Sequence, residues 1–113
     1  MTEQELIELF KERGALLEGH FRLTSGLHSN RYVQCARVLM YPELAAELGQ
    51  GIADKFSHLD LDLVVGPAIG GIVIAHEVGR ALGVRAIFSE REGGKVTLRR
   101  GFEIKKGERV LVV

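Results

Sequence analysis

Residues 62–72 read Asp62-Leu63-Val64-Val65-Gly66-Pro67-Ala68-Ile69-Gly70-Gly71-Ile72, and this stretch decides the fold. Leu63, Val64 and Val65 form a short unbroken apolar run, the pattern of a strand buried on both faces. The glycine-rich turn 66–71 interrupts it. Beyond the turn, Ile72, Ala75, Val78, Gly79 and Leu82 recur at helical spacing, and Gly83 supplies a stop. A second apolar strand follows over Val84–Ser89. Strand, helix and strand make a βαβ unit, whose parallel crossover puts the 66–71 turn at the carboxyl edge of a sheet.

Open α/β sheets bind ligands at that edge, and a helix amino terminus offers unpaired amides and a partial positive charge to an anion. A phosphate or pyrophosphate is one guest the turn would suit. A tight connection in which glycine only satisfies backbone geometry is the other reading of the same residues. Two known phosphate-binding patterns do not fit. There is no G-x-G-x-x-G, and Ile72 and Val73 stand where a Walker A turn has its lysine and hydroxyl residue.

Toward the amino terminus, Pro42 suits a first helical turn, and Leu44, Leu48, Ile52 and Phe56 predict a helix over 42–57. Gly49 and Gly51 weaken it by roughly 1 kcal/mol each relative to alanine. Phe21 and Leu23, then Tyr32, Val33 and Cys35, suggest two short strands paired as a hairpin around the polar stretch Thr24–Asn30. Cys35 reads as a half-buried packing residue in the second. Thr2 and Glu5 have capping-box spacing, and Leu6, Leu9 and Phe10 share one face, so residues 3–13 form a short helix ended by Gly14.

Toward the carboxyl terminus, Glu90-Arg91-Glu92-Gly93-Gly94-Lys95 reads as a charged, mobile loop. Val96–Arg99 and Gly101–Ile104 are expected as short extended segments, Lys106-Gly107 as a turn, and Arg109–Val113 as the start of a buried strand. Ending on an apolar strand gives the chain the look of a domain that continues further.

Length and composition bound the remaining possibilities. The 113 residues are 46% hydrophobic, enough for one core, and 15 basic residues balance 15 acidic ones. No global field attracts nucleic acid or an anionic membrane, so any anion site is local. No apolar run reaches the roughly 18 residues a bilayer span needs. One cysteine forms no internal disulfide, and the start MTEQELIELF lacks a secretory pattern, so the cytoplasm is the expected compartment. His20, His28, His58 and His76 show no metal-ligand spacing.

Three stretches, Phe21-Arg22-Leu23-Thr24-Ser25-Gly26-Leu27-His28-Ser29, Gly66-Pro67-Ala68-Ile69-Gly70-Gly71-Ile72 and Glu90-Arg91-Glu92-Gly93-Gly94-Lys95, occur in the order and spacing seen in orotate phosphoribosyltransferases. The chain resembles the amino-terminal part of that family over essentially its whole length. The resemblance implies an α/β fold of the type I phosphoribosyltransferase kind. That fold is a parallel sheet flanked by helices, with a small hood over about residues 1–40, a core over about 41–113, and an incomplete carboxyl end.

The implied reaction joins orotate to the ribose of phosphoribosyl pyrophosphate, giving orotidine 5′-phosphate and pyrophosphate. By resemblance, Thr24, Ser25 and Gly26 contact orotate, while Gly66, Ala68, Ile69, Gly70 and Gly71 cradle the pyrophosphate. Arg91 would contact the diphosphate, and Lys95 would reach across a homodimer on a shared mobile loop. Mg2+ would arrive bound to the donor's diphosphate. Thr24 and Gly70 stand where many members carry lysine. The family's acidic pair and Thr-Thr-Gly loop lie beyond Val113, so these 113 residues alone are expected to be inactive. A purine-type phosphoribosyltransferase, or a non-enzymatic ligand-binding regulator on the same fold, is the alternative.

Overall fold

Leu63, Val64 and Val65 are all buried because the strand they form, β3 (Leu63–Pro67), has a partner on each side. The computed structural model describes residues 1–113, which fall into two compact units, Met1–Tyr41 and Pro42–Val113.

In the first unit, α1 (Glu3–Glu12) begins as its capping box predicts, with the Thr2 hydroxyl accepting from the Glu5 amide at 3.1 Å. Gly14 takes a left-handed φ of 71° beyond its end. β1 (Leu16–Arg22) and β2 (His28–Val33) then pair antiparallel, which confirms the hairpin, with a register shift between Glu18 and Phe21. Residues 34–41 differ from expectation. Cys35 is exposed and leads into a four-residue helix, α2 (Ala36–Leu39), rather than lying half-buried in a strand.

In the second unit, α3 (Pro42–Phe56) and α4 (Ile72–Leu82) flank the chain's passage through β3, and Gly83 closes α4 at φ 72°. β4 (Arg85–Glu92), β5 (Lys95–Thr97) and β6 (Val110–Val112) complete a sheet of order β5-β4-β3-β6. β4 and β6 run parallel to β3, and β5 runs antiparallel to β4, so the sheet is mixed rather than wholly parallel. Residues 101–104 form no strand; their role is carried by Phe102.

The two faces of the sheet are covered differently. Val64, Ala86 and Leu111 pack with Ala53 of α3 and with Ala75 and Val78 of α4. Leu63, Val65, Ile87 and Val110 meet Phe102 instead. Helices thus flank the sheet on one face, and a loop aromatic covers the other. Phe102 also meets Phe88 edge-on, at 5.1 Å between ring centroids.

Glycines in α3 do opposite things. A Cβ on Gly49 would lie 2.7 Å from the Glu77 Cβ and 2.8 Å from its carbonyl carbon, so Gly49 lets α3 and α4 approach closely. A Cβ on Gly51 would meet nothing within 4 Å. Urea denaturation should show Gly51→Ala stabilising the protein by about 0.5–1 kcal/mol through helix propensity. Gly49→Ala should destabilise it by about 1–3 kcal/mol through overpacking.

Candidate functional site

The anion-binding reading of 66–71 depends on where the turn's amides go. Ala68 N–H donates to the Ser89 carbonyl at 2.8 Å, and Gly71 N–H donates to the Pro67 carbonyl at 2.8 Å. Ile72 N–H reaches the Ile69 carbonyl at 3.2 Å. Gly66 is buried within β3, and Pro67 has no N–H. Only Ile69 and Gly70, both exposed, carry turn amides that donate to no group in the chain. Of the residues the resemblance assigns to a pyrophosphate cradle, Ile69 and Gly70 offer free amides, while those of Ala68 and Gly71 are taken by Ser89 and Pro67. The Ala68–Ile69 peptide is cis.

Gly66 and Gly71 contribute shape rather than donors. A Cβ on Gly66 would collide with the Gly71 carbonyl oxygen and lie 2.7 Å from the Ala75 Cβ. A Cβ on Gly71 would lie 2.5 Å from Pro67 Cδ. Gly71 is also the N-cap of α4 and brings no side-chain cap, so the positive end of that helix lies next to the two free amides.

The segment 90–95 is not an open loop. β4 continues through Glu92, Gly93 and Gly94 form a two-residue turn with φ of 57° and 79°, and β5 returns with Glu92 opposite Lys95. Positive φ at both central residues is the hairpin geometry that matches strand twist, and glycine adopts it without strain. Alternation along β4 puts Ser89 and Arg91 on one face and Phe88, Glu90 and Glu92 on the other. Directly paired residues share a face, so Lys95 lies with Glu92, opposite to Arg91. Arg91 and Lys95, both exposed, form no ion pair.

Arg99 and Arg100 behave otherwise. Arg100 donates to both Glu90 carboxylate oxygens, at 2.7 and 3.4 Å, with its guanidinium 5.7 Å from the centre of the Phe88 ring. Arg99 lies 3.8 Å from Glu90 and 3.7 Å from Glu92. The Arg100 hydrogen bond holds the Glu90 carboxyl below the usual carboxylate range. At the other edge of the sheet, the Lys105 amide, at 2.6 Å, and then the Arg85 guanidinium, at 3.0 Å, lower the pKa of Glu108.

In the first unit, Thr24, Ser25 and Gly26 form the exposed tip of the β1–β2 hairpin. Gly26 N–H donates to the Leu23 carbonyl at 2.9 Å, and Gly26 needs its φ of 88°. The Thr24 and Ser25 amides donate to nothing in the chain, and the Ser25 hydroxyl accepts weakly from Leu27 N–H at 3.4 Å. The hairpin also brings His20 and His28 to 2.8 Å between ring nitrogens, a contact their spacing did not reveal. No cluster of three or more His, Cys, Asp or Glu side chains could hold a metal.

No family-level sequence model matches the chain. Among solved structures, Leishmania donovani UMP synthase superposes on 99% of the chain with a TM-score of 0.80 at 25% identity, using 24% of its own length. Mycobacterium tuberculosis orotate phosphoribosyltransferase, solved with inorganic phosphate, covers 96% of the chain and 61% of its own, with a TM-score of 0.62 at 23% identity. The fold is that of the type I phosphoribosyltransferases.

Sequence relatives narrow this further. Proteins named orotate phosphoribosyltransferase from Desulforamulus reducens and Pelotomaculum thermopropionicum are 53% and 56% identical over all 113 residues. The chain is a homologue of the orotate phosphoribosyltransferases, and it spans 59% and 60% of the length of those two relatives. No helix is long and apolar enough to cross a membrane.

A carboxyl whose folded pKa is lowered adds stability above its ordinary pKa and loses it as the pH falls through the folded value. Thermal melts should therefore show wild type losing stability on acidification below about pH 4.3, the ordinary glutamate value, more steeply than Glu108→Gln.

Proposed function

We propose that the whole protein transfers the 5-phosphoribosyl group of phosphoribosyl pyrophosphate to orotate, releasing pyrophosphate, as a step of pyrimidine nucleotide synthesis in the cytoplasm. The observation that carries this reading is identity above 50%, along the entire chain, to relatives bearing that enzyme's name. The same names favour it over purine-type transfer or a non-catalytic ligand binder.

In this reading the free amides of Ile69 and Gly70, beside the uncapped start of α4, receive the diphosphate. Gly66, Ala68 and Gly71 shape the turn around it. The hairpin tip Thr24-Ser25-Gly26 takes orotate, whose carboxylate and ring oxygens suit the free Thr24 and Ser25 amides. Arg91 and Lys95 supply the cations, and their freedom from ion pairs leaves both charges available. The transition state pairs a cationic ribose with a departing diphosphate, so preorganised charge contributes most. Magnesium would enter bound to the diphosphate of the donor. There the ion would supply charge neutralisation for the leaving group.

Arg91 and Lys95 on opposite faces of one ribbon are suited to two different active sites, which supports a homodimer sharing the ribbon. With the full-length protein, Arg91→Ala and Lys95→Ala should each lower kcat on the order of 10²-fold in an orotidine 5′-phosphate assay, as loss of a preorganised charge does. Co-refolding the two variants should restore about one quarter of wild-type activity, because half of a random dimer mixture then has one complete site. No recovery would place both residues in one subunit's site. Chelating magnesium should stop turnover, and absence of orotidine 5′-phosphate formation by wild type would reject the assigned reaction.

A further inference from the structure

Glu90 sits where a carboxylate is least welcome in a site for a polyanion. It is the residue after Ser89, whose carbonyl holds the Ala68 amide of the glycine turn, and it precedes Arg91. Its charge is occupied from two sides, by Arg100 at 2.7 Å and Arg99 at 3.8 Å. Thr97 adds a hydroxyl donor to the Glu90 carbonyl at 3.3 Å, so the main chain is held as well. Arg100 reaches this position from a left-handed backbone, with φ of 60°, the chain's one non-glycine residue at positive φ. An L-residue adopts that conformation only when its surroundings hold it there.

Resting on the phosphoribosyl-transfer reading, we propose that Glu90 and Arg100 form a charge clamp that positions the β4–β5 ribbon for the donor. Arg100, with Arg99, cancels the Glu90 carboxylate on one face of β4 so that Arg91 acts as an unopposed cation on the other. Glu90 and Arg100 are positioning residues, since neither need touch the diphosphate. The signs of their effects separate this from a merely structural ion pair. Removing Arg100 uncovers a carboxylate beside an incoming polyanion, whereas removing Glu90 uncovers two arginines. A structural pair would damage the site in the same direction whichever partner was lost.

The test is a double-mutant cycle in the full-length protein, reading both KM for phosphoribosyl pyrophosphate and the Kd of inorganic pyrophosphate by calorimetry. Arg100→Gln should raise the donor KM and the pyrophosphate Kd about tenfold at low salt, with the gap shrinking as salt is added and the orotate KM little changed. Glu90→Gln should leave both constants equal to wild type or lower, and the double variant should return to within about twofold of wild type. Arg100→Lys should rescue most of the loss. Arg100→Gly relieves the left-handed backbone while losing the charge, so it should show the KM rise without a fall in Tm.

The clamp is overturned if Glu90→Gln weakens donor and pyrophosphate binding as much as Arg100→Gln does, or if the double variant is no better than Arg100→Gln. It is also overturned if wild type binds no pyrophosphate. A wild type that binds pyrophosphate with this pattern of variants but makes no orotidine 5′-phosphate would sink the assigned reaction and leave the clamp standing.

Discussion

At the end of β3 the chain turns back so tightly that the carbonyl of Gly71 occupies the space a side chain on Gly66 would need. Backbone packs on backbone there, and Ala75 of α4 closes in from the same direction. This contact sets the distance between β3 and α4, and so the depth of the core in which Val64, Ala75 and Val78 meet. It also decides which amides remain for a ligand. The Gly71 amide closes the turn on Pro67 and the Ala68 amide ties it to Ser89 of β4, and Ile69 and Gly70 are left facing outward.

Charge follows a similar economy at the carboxyl end of β4. The formal net charge is zero, yet the local arrangement is far from uniform. Strand alternation puts Glu90 and Glu92 on one face, where Arg99 and Arg100 meet them, and Arg91 on the other. The two-residue glycine turn then returns Lys95 on the acidic face without pairing it. A sequence that looks like a string of alternating charges becomes a ribbon with one neutralised patch and two unengaged cations.

Much of this was legible from residue patterns. The capping box at Thr2, the helical spacing over 42–57, the unbroken run at Leu63–Val65 and the stop at Gly83 each depend on interactions within a few residues, and each is found in the structure. The three motif stretches pointed to the family for the same reason, since order and spacing are properties of the chain alone. Other features escaped. Glu90-Arg91-Glu92 has no apolar residue to mark it as strand, and it stays extended because β5 pairs with it and distant arginines cover its charges. Phe102 lies in a segment expected as extended, yet it is in no strand and covers a sheet face in place of a helix.

The amino-acid sequence by itself determined the βαβ unit, the glycine positions, the hairpin and the kinship with orotate phosphoribosyltransferases, because local periodicity and linear motifs carry that information. Only the tertiary structure decided which amides of the 66–71 turn are free, why Gly49 differs from Gly51, and which of four neighbouring cations are already spoken for. Each of those outcomes depends on atoms far apart in sequence, Ala68 with Ser89, Gly49 with Glu77, Glu90 with Arg100. Hydrogen bonds, steric contacts and ion pairs act over a few ångströms, so such pairings exist only once the chain has folded.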